Sequence, residues 1–213
     1  MRVKSHVSIF LIATMIALLL GGFLLMAYSR VDIHLYINGH HSPLADFVFK
    51  YLTYLGEGWL FVLAIPVFVF YSWRKGLFIA FAGVFTGLIT GIFKNSIYAG
   101  VPRPIEYFAG MSELYLVPGV EMNHWNSFPS GHTMAAFALY FSLAIVVKRA
   151  GWSFVFFSIA ALVGYSRMYL SQHFLVDVVA GAGLGIVCAA LAFVLASKLP
   201  WKNLDKRALD LMK

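Results

Sequence analysis

Three short polar clusters interrupt a chain that is otherwise mostly apolar, and their residue types are those of phosphate-ester chemistry. Lys94 and Arg103-Pro104 supply two cations. Pro129-Ser130-Gly131-His132 supplies a glycine turn and an imidazole. Ser166-Arg167, followed by His173 and Asp177, adds a third cation and a histidine four residues before an aspartate. Displacement at phosphorus calls for positive charge around the equatorial oxygens, a nucleophile or activated water, and an acid for the leaving oxygen. The three clusters together hold that inventory.

Each cluster also has a plainer reading. Lys94 follows Gly83, Gly87 and Gly91, a small residue every four positions. Such a stripe lets another helix pack closely and would turn Lys94, near the same face, into a bundle; the alternative is a lysine snorkelling to the interface. Ser130 and Gly131 suit an ordinary helix N-cap, where Ser130 caps the free N–H groups and Gly131 lets an anion approach the positive end of the helix. A cap alone leaves His132 unexplained. His173 and Asp177 share a helix face at i, i+4, so the carboxylate would fix the imidazole tautomer and sharpen the other nitrogen as a nucleophile. Asp177 could instead pair with Arg167. Zinc held by His132, His173 and Asp177 has the right donor types, but the absence of a paired-histidine helix motif and the three cations nearby argue against metal. The residues alone leave open which histidine attacks.

The elements that must position these groups are membrane helices. Of the 213 residues, 61% are hydrophobic and 12% charged, about half the charge of a soluble domain, and mean hydropathy is +0.82. Apolar segments at about 7–28, 57–73, 77–95, 132–148, 152–169 and 174–197 predict an all-α polytopic protein, a six-transmembrane-helix bundle forming one membrane domain over residues 1–213. Several segments are shorter than the ~20 residues of a perpendicular span. The first follows Arg2 and Lys4 but is too long for a signal-peptide core, and is expected to stay as a span.

The net charge of +7 is a topology signal. With the N-terminus inside, eleven Lys and Arg, among them Arg2, Lys4, Arg74, Lys75, Lys148, Arg149, Lys202, Lys206, Arg207 and Lys213, fall on the inner side; Arg30, Lys50, Lys94, Arg103 and Arg167 fall outside. The positive-inside rule then puts both termini in the cytoplasm and gathers the clusters at the outer face. No nucleic-acid footprint is implied. Cys188 stands alone, so it forms no intramolecular disulfide.

Two outer segments are long, 29–56 and 97–131. The first carries Phe47, Tyr51, Tyr54 and Leu55 near helical spacing and predicts an amphipathic interfacial helix. The second contains Pro102, Pro104, Pro118 and Pro129, which exclude a continuous helix, and its aromatic residues predict an ordered cap. His34, His40, His41 and His124 read as surface or cap residues. Gly100 and Pro102 predict that the third helix ends soon after Lys94 and that a short loop returns Arg103 to the pocket.

These residues resemble the type-2 phosphatidic acid phosphatase family, which shares its site with vanadium haloperoxidases. Its second and third motifs match residue for residue at Pro129 to His132 and Ser166 to Asp177. The first departs, because eight residues separate Lys94 from Arg103, two more than in the family pattern. The resemblance runs from about Leu55 onward and implies a metal-independent lipid phosphatase without cofactor. His173 would attack phosphorus, oriented by Asp177, to form a phosphohistidine. His132 would protonate the leaving oxygen and later activate water. Lys94, Arg103, Arg167, Ser130 and the Gly131 backbone would bind the phosphoryl oxygens.

The implied partner is a phosphorylated lipid in a bilayer: undecaprenyl pyrophosphate, phosphatidylglycerol phosphate, phosphatidate or lipid A, in a bacterial inner membrane. A lipid phosphotransferase differs only in its acceptor. A non-enzymatic lipid-phosphate binder or flippase would need the cations but not two histidines and an aspartate. Haloperoxidase chemistry belongs to soluble relatives, and six spans favour a lipid.

Overall fold

The structure is a computed structural model describing residues 5–200. Arg2, Lys4, Lys202, Lys206, Arg207 and Lys213, which enter the charge asymmetry, lie outside the described residues. Within them every regular element is helical: α1 Ser5–Ala27, α2 Arg30–Asn38, α3 Pro43–Leu52, a 3-10 turn Thr53–Gly56, α4 Trp59–Tyr71, α5 Trp73–Ile92, a π turn Phe93–Ile97, α6 Pro104–Tyr107, α7 Gly131–Val147, α8 Ala150–Tyr169 and α9 Leu175–Lys198. Helices α1, α4, α5, α7, α8 and α9 occupy the six apolar segments. Val7–Ala27, Trp73–Ile97 and Leu175–Lys198 are each long and apolar enough to cross a membrane. Pro43–Gly56 and Trp59–Tyr71 reach the same length and hydropathy only when taken together, across a bend of 56°.

Helix α7 is the axis of the bundle. Thr133 to Ser142 are buried all round, as expected of an apolar helix enclosed by others. Its tightest neighbour is α9, because α9 presents small residues to it. A Cβ on Gly181 would stand 2.7 Å from the Ser130 carbonyl oxygen, and one on Gly185 would stand 2.5 Å from that of Met134. Ala189, Ala192 and Ala196 continue this buried face. Helix α1 closes the other side with Phe10, packed against Phe137, Phe141 and Phe157.

The glycine stripe of α5 behaves differently from its expected role. Gly83 does abut α4, since a Cβ there would lie 3.0 Å from the Phe61 ring, but a Cβ on Gly87 or Gly91 would meet nothing within 4 Å. These two glycines line a cavity of about 790 Å³ between α4, α5 and α7, which runs from Val62 and Val84 to Lys94 and His132. The missing side chains leave a groove instead of admitting a helix.

The outer segment 29–56 folds as two helices and a turn. Ser29 and Ser42 cap α2 and α3, each accepting from the backbone N–H three residues on, an arrangement worth about 1 kcal/mol per cap. Helix α3 turns Leu44, Phe47 and Tyr51 outward. The cap, 98–130, is held by short backbone bonds between its two arms, from Arg103 N to His124 O at 2.8 Å and from Ser127 N to Val101 O at 3.1 Å.

Candidate active site

Lys94 sits in the π turn that ends α5. The wider turn and the loop after it take up the longer spacing to Arg103. A Cβ on Gly131 would lie 3.8 Å from Lys94 Nζ, so the ammonium stands at the N-terminus of α7, where the helix dipole and free N–H groups already favour an anion. Ser130 is fully buried there. Its hydroxyl accepts from Thr133 Oγ1 at 2.8 Å, and its own N–H donates to the Asp177 carbonyl at 3.0 Å. These bonds tie the start of α7 to the start of α9.

Arg103 and Arg167 are both buried. Arg103 donates from Nε to the Trp125 carbonyl at 3.0 Å and from Nη1 to Gln172 Oε1 at 2.9 Å. Arg167 donates from Nη1 to Thr53 Oγ1 at 2.7 Å, while its buried Nε–H has no partner among the described residues. A buried guanidinium N–H left unpaired is costly unless an anion completes it.

His173 lies on the loop between α8 and α9, buried to 1% exposure. Its Nδ1 faces Asp177 Oδ2 at 3.3 Å. Asp177 is held by two further donors, Ser127 Oγ at 2.5 Å and the Phe174 N–H at 3.0 Å, and no bond joins it to Arg167. With Nδ1 turned to the carboxylate, Nε2 is the nitrogen left to act. Burial first, and then the charges of Arg103, Arg167 and Lys94, hold the His173 imidazole well below its ordinary range, so it is neutral and keeps a lone pair at physiological pH. His132 lies in the first turn of α7 and lines the cavity beside Lys94 and Glu57.

All eight residues singled out in the sequence therefore cluster at one end of the bundle. Among the described residues no group of three His, Cys, Asp or Glu converges, and the Asp177 carboxylate is turned to His173 Nδ1. Ser127, Gln172, Thr53 and Glu57 also belong to the site, and none carried a sequence signal. Each comes from a segment remote from the residue it touches.

Of the histidines read as surface or cap residues, His34 needs correction. His124 does sit on the cap surface, bonded to Glu106 at 2.8 Å. His34 is 2% exposed, with Nε2 3.2 Å from Ser171 Oγ and its ring stacked on Phe108. Asn38, one turn on, donates to Ser171 Oγ at 3.1 Å and to the Tyr115 carbonyl at 2.8 Å. Ser171 itself is left-handed, with φ +52°. Burial, opposed more weakly by Asp177, pushes the His34 imidazole down to about 4. Between pH 6.5 and about 4 the unfolded chain takes up a proton that the folded one refuses, so stability falls as pH falls through that window and levels off below it. The loss from His34 is on the order of 3 kcal/mol, and His173 adds to it in the same direction. The melting temperature in detergent should fall between pH 6.5 and 4, with a shallower decline in His34→Gln.

Residues 75–201, more than half the chain, match the model of the PAP2 superfamily. The bacitracin transport permease protein BcrC of Bacillus licheniformis is 29% identical over 184 residues, covering 82% of this chain and 85% of that protein. The undecaprenyl-diphosphatase BcrC of Bacillus subtilis is 25% identical over 156 residues, 72% of this chain and 76% of that one. Among solved structures, Aquifex aeolicus LpxE superposes with a TM-score of 0.67 at 27% identity, over 77% of this chain and 94% of that one. The chain belongs to the PAP2 superfamily and is an integral membrane lipid phosphatase of that type.

Proposed function

We propose that the protein hydrolyses a polyprenyl diphosphate, undecaprenyl diphosphate first among the candidate lipids, through a phosphohistidine on His173. The observation that carries this reading is the neutral, carboxylate-oriented His173 among three cations, with His132 on the wall of an apolar groove. The relatives similar over most of the chain include one named for that substrate, and a long prenyl chain suits a groove lined by Phe61, Val62, Ile65, Val84 and two bare glycines.

In the first step His173 Nε2 forms a bond to phosphorus and the bond to the lipid-side oxygen breaks. The electron pair leaves on that oxygen, which takes a proton from His132. In the second step water attacks phosphorus and gives its proton to His132; the nitrogen–phosphorus bond breaks and inorganic phosphate departs. Lys94, Arg103, Arg167 and the start of α7 at Ser130 and Gly131 hold the phosphoryl oxygens, stabilising charge that grows in the transition state. The six apolar helices cross the membrane with both termini in the cytoplasm, supported by the charge asymmetry, and the site faces the extracytoplasmic side of a bacterial inner membrane.

Purified protein should release phosphate from undecaprenyl diphosphate faster than from phosphatidylglycerol phosphate, phosphatidate or lipid A, with EDTA present throughout. Gly91→Leu should raise KM for the prenyl substrate about tenfold or more by filling the groove, at roughly 1–3 kcal/mol for a misplaced chain, and leave p-nitrophenyl phosphate turnover near normal. Equal losses on both substrates would remove the groove from lipid binding. An order of preference led by another lipid would replace the substrate.

A further inference from the structure

We propose that Glu57 is a positioning residue for His132, holding its imidazole oriented and in the proton-carrying form that the leaving oxygen requires. The inference rests on His132 acting as the acid in the reaction above. Glu57 Oε1 lies 3.9 Å from His132 Nε2, longer than a hydrogen bond and within ion-pair range, and the two side chains line the same cavity. Gly56 makes this approach possible. A Cβ there would stand 2.8 Å from the His132 carbonyl oxygen and 2.5 Å from Val163 Cγ1, so only glycine lets the turn before α4 seat on the first turn of α7. The Glu57 N–H, donating to the Tyr54 carbonyl at 3.2 Å, fixes the turn that carries the carboxylate.

The charges around His132 explain why a carboxylate is needed. Arg167 faces it from α8, Lys94 from the π turn, Arg103 from the cap, and His173 from the loop before α9. Three of these are fixed cations, arranged for the phosphoryl oxygens, so a charged imidazole among them calls for a nearby anion. Asp177 is taken up by His173, Ser127 and the Phe174 N–H. Glu57 is the acidic group at ion-pair distance on the groove side. The site thus holds two histidine–carboxylate pairs with opposite tasks, Asp177 supporting a neutral nucleophile and Glu57 a charged acid.

The need for a proton depends on what leaves. A lipid phosphomonoester expels an alkoxide, which demands one, whereas a lipid diphosphate expels a phosphate, which demands it less. Glu57→Gln keeps the shape and removes the charge. It should lower kcat/KM about tenfold or more on a lipid monophosphate, and less on the matching diphosphate. The basic limb of its pH profile should move about one pH unit lower, because the acid loses its proton earlier without the carboxylate. Glu57→Asp should recover part of both. A uniform loss with an unmoved profile, no loss at all, or a gain on the diphosphate would each overturn the proposal. If His132→Ala itself turned over normally, the assignment of His132 would fail; a defective His132→Ala beside an unaffected Glu57→Gln would sink the Glu57 role alone.

Discussion

His173→Ala should lower phosphate release from a lipid substrate by about 10²–10⁴-fold or more, while the protein elutes and melts in detergent much as the parent does. The size of the loss follows from the surroundings of the side chain. Its Nδ1 is committed to Asp177, and it is kept neutral by burial and by three cations. His132→Ala should show a defect of similar order on an alkoxide leaving group. Single-turnover phosphate release, measured beside a melting curve for each variant, separates lost chemistry from lost fold. Near-normal turnover by His173→Ala would place the nucleophile elsewhere.

Arg103→Ala should cost about 10²–10³-fold in kcat, the scale of removing one preorganised donor from a transition-state oxyanion. Arg103 is 7% exposed and clamped by Trp125 and Gln172, so its remaining donors are already aimed before substrate arrives. Arg30 is the control. It lies over the Tyr107 ring at 4.3 Å, outside the cluster of Lys94, Arg103 and Arg167, and Arg30→Ala should lose far less. Comparing kcat for both variants on one substrate decides the matter: equal, small losses would show Arg103 to be a lipid-surface charge.

The gathering of these side chains was legible because it is written locally. Pro129 to His132 and Ser166 to Asp177 each lie within one turn and one helix end, where spacing translates directly into geometry. The six apolar segments were legible for the same reason. What escaped depends on contacts between distant segments. Glu57 and His132 are brought together by a turn whose only sequence trace is Gly56, and Ser127 reaches Asp177 across the cap. The stripe Gly83, Gly87, Gly91 reads identically whether a helix packs on it or a groove runs along it, because the outcome is set by how α4 leaves α5 beyond Phe61. His34 gave no warning of its burial, since a histidine in a mixed outer segment looks the same whether it faces solvent or the loop behind the active site.

The fastening of Ser171 by His34 and Asn38 bears on how such enzymes can be recombined. The region matching the family begins at residue 75, yet the loop that carries His173 is tied down by α2, which lies wholly before it. A chimera that moves residues 75–201 into a relative would transplant every named catalytic group and leave behind the clasp that holds Ser171 in its left-handed turn. Exchanges made at that boundary should yield well-inserted but sluggish hybrids, and including residues 30–57, which also carry Thr53 and Glu57, should restore their speed.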